Sequence, residues 1–544
     1  MNYQFAKKIV VSENVQNVGA FLQKKTLQIG LGEQNCAVFK GRSYVVLDFG
    51  RELSGGARIL TFLVKGNSRI RLRFGESVSE ACSPLGETRG FGKSTNDHSL
   101  RDFVIDLQSY SDMMFGQTGY RFLRIDVLDN EAEIMMKTAV AAIDTDEREA
   151  LGLFECDDPL VNEIWDTAAY TLRLCLQNGY FWDGIKRDRL VWIGDLYPEM
   201  KAAHYLFGDV LETLNSLEFA KAETPLPKWM NNIPSYSIWW LIILADEYAV
   251  FGNKNEFNAY LPYINGLIVQ ISNAVREEGG LAFDKNFVDW PTNYVEGEPI
   301  EKKHDSETGV AYLIKIAMTK IIPFLRDYGE EVSLCEDILR RLGNRTFKVC
   351  KYKQIAGIGV WAGDKSENNK EILFKDGAKG LSTFMSYPIL TAVSAYEEYE
   401  TALNMMKEYY GGMLSVGATT FWEDFDLEWL KGAGRIDEMP KANEVDIHGD
   451  KGAFCYIGYR HSFCHGWSAG VIPYLIETVL GVKITEKGMR KITIQPHLSG
   501  LKYVKGCIPT PYGLLIIEHK LLDDGRVESN ISAPKDIAIV VQKS

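Results

Sequence analysis

The sequence predicts a multidomain α+β protein in which a central α/α barrel is flanked by an N-terminal β-sandwich and a small C-terminal β-sandwich. The main observation is the period of the hydrophobic residues, which is two in the first part, helical in the middle and two again at the end. The second is length, since 544 residues allow about three or four domains. We therefore expect domains at residues 1–150, 151–480 and 481–544.

The N-terminal segment alternates apolar and polar residues in short runs separated by Gly, Ser and Asn. Such runs, without intervening helical patterns, are typical of a β-sandwich or a jelly roll. The runs are SYVVLDFG, RILTFLVKG, RIRLRFGES, LRDFVIDL and RFLRIDVLD.

The pattern becomes helical at residue 157. Asp158 is a suitable N-cap, Pro159 suits the first helical position, and Asn178 with Gly179 gives a stop signal. Similar amphipathic segments follow, separated by loops that carry Pro, Trp and Asp, and this arrangement predicts helical hairpins that close into a bundle or toroid, most simply an α/α barrel. These segments are EMKAAHYLFGDVLETLNSLEFAKA, SIWWLIILADEYAVFG, FNAYLPYINGLIVQISNAVREEG, ETGVAYLIKIAMTKIIPFL, TFMSYPILTAVSAYEEYETALNMMKEYYG and GWSAGVIPYLIETVLG.

After residue 481 the period of two returns in a stretch that is only long enough for a small sandwich. The runs are RKITIQP, YGLLIIEHKL, GRVESNIS and IAIVVQK.

Charge and composition exclude several function classes. With 60 basic and 73 acidic residues the net charge is −13, and no basic stripe is long enough to follow a phosphate backbone, so a nucleic-acid partner is not expected. The N-terminus lacks the apolar region of a signal peptide, and no window reaches the roughly 18 apolar residues of a membrane span. Nine cysteines without paired spacing indicate buried thiols in a reducing compartment. We expect a cytoplasmic protein without a membrane partner, and the oligomeric state stays unknown.

All eleven Trp residues lie between Trp165 and Trp467, within the helical segment. Most of them fall in its loops, where an aromatic ring beside a carboxylate can stack on a sugar ring while the carboxylate binds its hydroxyls. Any single Trp could equally be a core residue. As a set, they place the functional site in the helical domain.

Two loops place carboxylates beside Trp. DGIKRDRLVWIGD spans residues 183–195, and GATTFWEDFD spans residues 417–426 with Glu423 after Trp422. Glycoside hydrolysis needs one carboxylic acid and one carboxylate on either side of the bond that breaks, which two such loops could supply. The alternative is that the first loop is a solvated surface loop, as most charged runs are.

Two other motifs suggest different chemistry. GWSAG at residues 466–470 fits the GxSxG pattern of a serine nucleophile at Ser468, but it follows no strand–helix series. Cys455, His461, Cys464 and His465 could be read as metal ligands, yet their spacing matches no tetrahedral zinc signature. We expect neither a metal nor a nucleotide cofactor.

Three motifs together resemble a known family. DGIKRDRLVWIGD, GATTFWE and SFCHGWSAG are similar to motifs of the bacterial α-L-rhamnosidases of glycoside hydrolase family 78, and LDFGRELSGGARI and GVKITEKGMRKITIQPHLSGLKYVKG resemble that family's flanking β domains. The resemblance implies an (α/α)6 barrel that releases terminal α-L-rhamnose from a carbohydrate substrate with inversion, without a cofactor.

The resemblance also implies roles for individual residues. Asp188 falls on the position of the general acid and Glu423 on that of the base. The family's positions that line the rhamnose subsite fall on Asp183, Arg187, Trp192 and Asp195. A family histidine near that subsite falls on His465, and a further acidic-aromatic pair falls on Asp289 and Trp290. Trp422, beside the base, is expected to shape the pocket together with Trp192.

The chain departs from the family at one of these positions. The family's acid is usually Glu, whereas residue 188 is Asp and one methylene shorter. The segment from Leu427 to Arg460 is also longer than usual and could reshape the leaving-group side. Two alternatives therefore stay open, namely action on another glycoside, such as a different deoxysugar or a uronic-acid-containing oligosaccharide, and a carbohydrate-binding relative with impaired catalysis.

For a single displacement we expect burial, Asp183 and Asp195 to keep Asp188 protonated, against the pull of Arg187 and Arg189. The two reacting carboxyl groups should lie roughly 6.5–9.5 Å apart, which leaves room for water.

Overall fold

A computed structural model describes residues 2–66, 68–84, 101–252 and 255–542. The fold is mixed α+β, with a sheet-rich N-terminal region, a helical central region and a sheet-rich C-terminal region. The strands are β1 (Asn2–Phe5), β2 (Lys8–Gln16), β3 (Ala37–Lys65), β4 (Arg69–Gly75), β5 (Asp102–Asp106), β6 (Asp112–Val127), β7 (Glu133–Ile143), β8 (Leu153–Cys156), β9 (Leu176–Gln177), β10 (Tyr180–Phe181), β11 (Val482–Glu486), β12 (Lys491–Ile494), β13 (Tyr503–Thr510), β14 (Gly513–Leu521), β15 (Val527–Ser532) and β16 (Ala538–Val541).

The helices of the described residues are mostly central. They are α1 (Val78–Cys82), α2 (Pro159–Cys175), α3 (Ile193–Leu206), α4 (Leu211–Glu223), α5 (Pro234–Phe251), α6 (Leu261–Ala274), α7 (Ile300–Asp327), α8 (Ser333–Gly343), α9 (Lys353–Trp361), α10 (Glu367–Phe374), α11 (Ser386–Ser394), α12 (Tyr399–Ser415) and α13 (Val471–Tyr474).

The N-terminal strands form one hydrogen-bonded sheet in the order β1-β7-β3-β6-β4-β5, with β2 alongside β3. Strand β3 runs for 29 residues, and both of its halves pair with β6 and β7. The pairing register of β3 shifts at Gly55, where φ is +144° and a Cβ would lie 2.0 Å from the Ala142 carbonyl oxygen, so glycine is required there. The two-layer sandwich predicted for this region stays a prediction.

Two predicted strands extend to residues that are not described. The predicted strand at residues 100–107 corresponds to β5, with Leu100 outside the described residues. The last predicted strand corresponds to β16, and its final residue, Lys543, also lies outside them.

The first central helix begins where the sequence predicts. The Asp158 carboxylate accepts a hydrogen bond from the Leu160 N–H at 2.9 Å and caps α2. The helix ends at Cys175, earlier than predicted, and Asn178 and Gly179 instead form the turn of the β9–β10 hairpin with positive φ.

Helix boundaries differ from the predictions in three ways. The helix predicted after residue 199 is two helices, α3 and α4, because the chain turns at Gly208 with φ of +80°. The segment predicted after residue 383 is likewise divided between α11 and α12. Helices α8, α9 and α10 were not predicted, since each is only 8 to 11 residues long and its apolar pattern is brief.

Among the described residues, helix α7 is long and apolar enough to span a membrane by length and composition alone, and 72% of its most apolar window is buried inside the protein. Such burial is what a core helix of a packed domain shows.

The C-terminal strands form two sheets, β11-β12-β16 and β15-β14-β13-β8. Strand β8 joins them from the other end of the helical region, with Cys156 opposite Val504. The predicted boundary at residue 151 assigned these residues to the helical domain, whereas their backbone pairs with the C-terminal strands. One continuous hydrophobic core covers the helices and these sheets, and a second core lies within the N-terminal sheet.

The N-terminal region contacts the loops that carry the predicted site. The Gly119 N–H donates to the Ile185 carbonyl at 2.9 Å, and Arg121 donates to the Gly417 carbonyl at 3.0 Å. Arg121 also pairs with Asp48 in its own sheet. The N-terminal sheet therefore supports both predicted site loops.

All nine cysteines are free thiols. Five are buried, but Cys350 is exposed, which corrects the expectation that all of them are buried.

Candidate active site

A cavity of about 400 Å³ lies where the two acidic loops meet. Its volume is within the usual range of small-molecule sites, about 300–1,000 Å³. Eight of the ten predicted site residues line it: Asp183, Arg187, Asp188, Trp192, Asp195, Trp290, Glu423 and His465.

The loop of residues 183–195 is fixed by its own backbone and by the segment before α13. The Asp183 N–H donates to the Leu190 carbonyl at 3.1 Å, and the Leu190 N–H donates to the Asp183 carboxylate at 2.9 Å. The Gly466 N–H donates to the Asp183 carbonyl at 2.8 Å. These bonds hold the loop and the His465 segment side by side.

Asp195 lies in the first turn of α3, where a carboxylate is favoured by the helix dipole. It accepts hydrogen bonds from His465 Nε2 at 3.0 Å and from the Tyr236 hydroxyl at 3.3 Å. Trp192 precedes the helix, and its ring packs edge-on against Tyr236 at 6.1 Å. The start of α3 thus positions one carboxylate and one aromatic wall.

Glu423 is held at both its backbone and its side chain. Its N–H donates to the Ser462 carbonyl at 3.0 Å, and its carbonyl accepts from Trp467 Nε1 at 2.9 Å and Thr383 Oγ1 at 2.6 Å. The carboxylate accepts from the Ser462 N–H at 3.3 Å and from Arg187. A group fixed in this way is pre-organised for chemistry.

Arg187 joins the two predicted catalytic carboxylates. Its Nη2 donates to Glu423, its Nη1 lies 3.2 Å from Asp188 Oδ2, and its Nε donates to the Arg460 carbonyl at 2.7 Å. The guanidinium is fully buried, and its planar fork suits two carboxylates at once. Asp188 and Glu423 therefore belong to one site.

Asp188 differs from the other carboxylates of the cavity. Its side chain is 14% exposed, whereas the side chain of Glu423 is 4% exposed. Asp188 and Arg189 both have positive φ, at 51° and 58°, so the loop makes its sharpest turn there. Arg460 also approaches Asp188, with Nη2 3.8 Å from Oδ1. Two cations therefore lie beside this carboxylate, Arg187 at 3.2 Å and Arg460 at 3.8 Å.

Burial controls protonation deeper in the cavity. Burial, reinforced by neighbouring carboxylates, raises the pKa of Asp183 and of Asp195 well above the usual range. Burial raises the pKa of Glu423 too, although Arg187 opposes this. Burial and then Arg187 lower the pKa of His465 well below its usual value. His465 is therefore neutral, and its Nδ1, which has no hydrogen-bond partner among the described residues, can accept from a ligand.

Two of the predicted site residues do not line the cavity. Trp422 is fully buried, and its ring stacks on Phe463 at 3.9 Å. Adjacent side chains leave the backbone in different directions, so the Glu423 side chain points into the cavity and the Trp422 ring points into the core. Asp289 accepts from the Trp290 N–H at 2.7 Å and from Ser382, so it caps the turn that presents Trp290. Neither residue lines the cavity, and each supports a neighbour that does, Glu423 and Trp290 respectively.

Several cavity residues were not predicted from the sequence. The notable ones are Tyr236 at the start of α5, Lys285, Phe287 and Tyr456 in loops, and Arg460 at the end of the short 3-10 helix Gly458–Arg460. Two signals lay nearby, since Phe287 begins the FVDWPTN motif and Tyr456 and Arg460 belong to the long segment from Leu427 to Arg460.

A buried ion cluster underlies the site. Lys186 is fully buried, and its Nζ lies 2.9 Å from Glu76 and 3.2 Å from Glu80, both from the N-terminal region. Glu80 also pairs with Arg101. Glu76 accepts from the Phe463 N–H at 2.7 Å, so the cluster reaches the segment that holds Glu423. Glu76, Glu80 and His448 are close enough to ligate a metal, but Lys186 and Arg101 together already balance the charge of the two carboxylates.

The alternative motifs do not form sites of their own. Ser468 is buried in the short 3-10 helix Gly466–Gly470 and its hydroxyl donates to the His465 carbonyl at 2.6 Å, so no strand–helix elbow presents a nucleophile. Cys464 faces the Thr171 carbonyl, whereas His461 Nε2 accepts from the Asp424 N–H at 3.0 Å. The four possible metal ligands thus point to different partners.

A known family model matches the first part of the helical region. Residues 149–321 match the family model of the bacterial alpha-L-rhamnosidase 6 hairpin glycosidase domain. The match includes the loop of residues 183–195 and ends before Glu423. No curated protein matches the chain in sequence.

Solved structures share the fold. The family 78 rhamnosidase of Bacillus sp. GL1 has a TM-score of 0.73 and 20% identity, covering 94% of this chain and 55% of its own. The Klebsiella oxytoca rhamnosidase, solved with rhamnose bound, has a TM-score of 0.64 and 18% identity, covering 87% and 95%. The Streptomyces avermitilis α-L-rhamnosidase, complexed with L-rhamnose, has a TM-score of 0.68 and 12% identity, covering 99% and 50%.

These matches confirm the resemblance to bacterial α-L-rhamnosidases and show a rhamnosidase-like glycoside hydrolase fold. The chain spans about half the length of the Bacillus and Streptomyces enzymes and nearly all of the Klebsiella enzyme.

Proposed function

Because residues 149–321 carry a bacterial α-L-rhamnosidase six-hairpin glycosidase domain, we propose that this protein releases terminal α-L-rhamnose from glycosides or oligosaccharides by inverting hydrolysis. The observation that carries the proposal is that Arg187 joins Asp188 and Glu423 in a cavity that also holds neutral His465 and the Trp192 ring. The likeness in fold to rhamnosidases with bound rhamnose supports the choice of sugar.

The cavity offers rhamnose two kinds of contact. The rings of Trp192 and Trp290 form apolar walls for the C–H faces and the methyl group. Asp183, Asp195 and His465 provide acceptors and, where the acids are protonated, donors for the hydroxyls.

The proposed reaction is a single displacement. Asp188 donates a proton to the leaving oxygen as the glycosidic bond breaks, and Glu423 takes a proton from the water that attacks the opposite face. Glu423 suits the base, because its carboxylate is buried and its bond with Arg187 stabilises the ionised form. Asp188 suits the acid, because it lies nearest to solvent, where a leaving group can depart.

Two single substitutions test the assignment. Asp188→Asn and Glu423→Gln should each lower kcat on an aryl α-L-rhamnoside by about 10²–10⁴ while leaving the unfolding temperature nearly unchanged. Asp166→Asn, a half-exposed acid on α2 outside the cavity, is the matched control and should retain wild-type activity. Wild-type activity in both variants would refute these roles. Stabilisation by rhamnose without hydrolysis by the wild type would instead show a carbohydrate-binding relative.

A further inference from the structure

Two cations of the cavity are not accounted for by the proposed binding of rhamnose. Lys285 lies half-buried in the loop after α6, and Arg460 ends the short 3-10 helix Gly458–Arg460 before His465. Lys285 has no carboxylate within ion-pair distance among the described residues, and its Nζ lies 5.2 Å from the centre of the Phe287 ring. Burial lowers the pKa of Lys285, as expected for an amine that is partly desolvated and lacks a carboxylate partner.

The carboxylates of the cavity already have other partners. Arg187 binds Asp188 and Glu423, and Asp195 accepts from His465 and Tyr236. Among the described residues, the carboxylate within ion-pair distance of Arg460 is Asp188, at the long distance of 3.8 Å. The positive charge of Lys285 is thus left to a ligand.

Both cations border one wall of the cavity. Lys285 lies over the Phe287 ring, which packs against Trp290 at 5.3 Å, and Trp290 packs edge-on against Tyr456 at 5.8 Å. Arg460 lies four residues after Tyr456, and its Nη2 is 3.8 Å from Asp188 Oδ1. Because Asp188 is the proposed acid, we take this wall as the side from which the leaving group departs.

We propose that the group attached to rhamnose in the natural substrate is anionic, namely a uronic acid residue whose carboxylate is bound by Lys285 and Arg460. This inference rests on the proposed function and names its leaving group. The Phe287 ring, which packs against Trp290 at 5.3 Å, gives the second sugar an apolar wall. Arginine forks and lysine ammonium groups are the usual partners of carboxylates.

A uronate bound by Arg460 also lies beside the proposed acid, because Arg460 Nη2 is 3.8 Å from Asp188 Oδ1. The overall reaction is unchanged, since Asp188 protonates the leaving oxygen and water supplies the new bond to rhamnose.

The test compares three substrates, an aryl α-L-rhamnoside, an α-L-rhamnosyl-D-glucuronate disaccharide and the matching neutral α-L-rhamnosyl-D-glucose. For the wild type we expect kcat/KM on the glucuronate disaccharide to be at least tenfold higher than on the neutral disaccharide. This is about the effect of one added ion pair. Lys285→Met should lower this ratio about tenfold, mostly through KM, and Lys285→Glu should lower it further. Lys535→Met, an exposed lysine of the C-terminal region, is the control and should leave the ratio unchanged.

The outcomes separate this inference from the proposed function. Equal kcat/KM on the two disaccharides, or a ratio that Lys285→Glu does not change, overturns the uronate site while hydrolysis of the aryl rhamnoside keeps the proposed function. No hydrolysis of any of the three substrates overturns both. Circular dichroism and unfolding temperatures of each variant show that a lost preference is not lost folding.

Discussion

Removal of the buried Lys186 ammonium should destabilise the protein strongly. Lys186 is fully buried between Glu76 and Glu80, at 2.9 and 3.2 Å, and also donates to the Tyr459 carbonyl at 2.8 Å. Together with Arg101 it balances two buried carboxylates. In Lys186→Met one carboxylate charge is uncompensated, which typically costs about 3–5 kcal/mol.

The magnitude can be checked by calorimetry. With about 2 °C or less per kcal/mol for a chain of this size, the unfolding temperature should fall by up to about 10 °C. The double variant Lys186→Met/Glu76→Gln leaves the Arg101–Glu80 pair with no excess charge, so it should regain a large part of the loss. The control is Lys24→Met at an exposed position of the N-terminal region. An unfolding temperature of Lys186→Met within about 1 °C of the wild type, or a double variant less stable than the single, would refute this reasoning.

Three further predictions concern pH and packing. Burial raises the pKa of Asp289 from 3.8 to about 6, so the folded protein loses stability on the order of 3 kcal/mol as the pH rises from about 4 through 6. Asp289→Asn should remove this pH-dependent loss, which unfolding curves at pH 4 and 8 would detect. Burial also raises the pKa of Glu423, and the base must be ionised to act. As the pH is lowered, kcat/KM should therefore begin to fall at a pH above about 4.3, the ordinary pKa of Glu. A fall that begins only at or below about pH 4.3 would contradict the assignment. Gly466→Ala should destabilise the protein by about 1–3 kcal/mol, because the new Cβ would lie 1.9 Å from Glu199 Oε1. Adding Glu199→Ala should restore the stability in thermal unfolding. Equal stability of Gly466→Ala and the wild type would show that the contact relaxes freely.

Local sequence signals identified the parts of the fold that depend on local physics. The Asp158–Pro159 start of α2 was predicted because capping and a fixed φ act within a few residues. Strand β8 could not be assigned to the C-terminal sheet, since its partner Val504 is more than 300 residues away and no local pattern encodes that pairing. Breaks such as the one at Gly208 were hidden by a helical period that continues through the turn.

The same distinction holds for the site. Asp188, Glu423 and His465 were found because charged and aromatic residues cluster in motifs, and the structure brings them to one cavity. Trp422 was assigned to the cavity because a sequence does not show in which direction a side chain points, and its ring belongs to the core. Lys285 was missed because a single lysine in a loop gives no sequence signal, and only the structure shows that no described carboxylate lies within ion-pair distance of it.

The most direct test of the central claim is a proton NMR time course of the wild-type protein with an aryl α-L-rhamnoside. The proposed mechanism predicts that the anomeric signal of β-L-rhamnose appears first and that the α anomer follows by mutarotation. If the α anomer appears first, the single displacement by Asp188 and Glu423 is wrong. If no rhamnose is released, the proposed glycosidase activity is wrong as well.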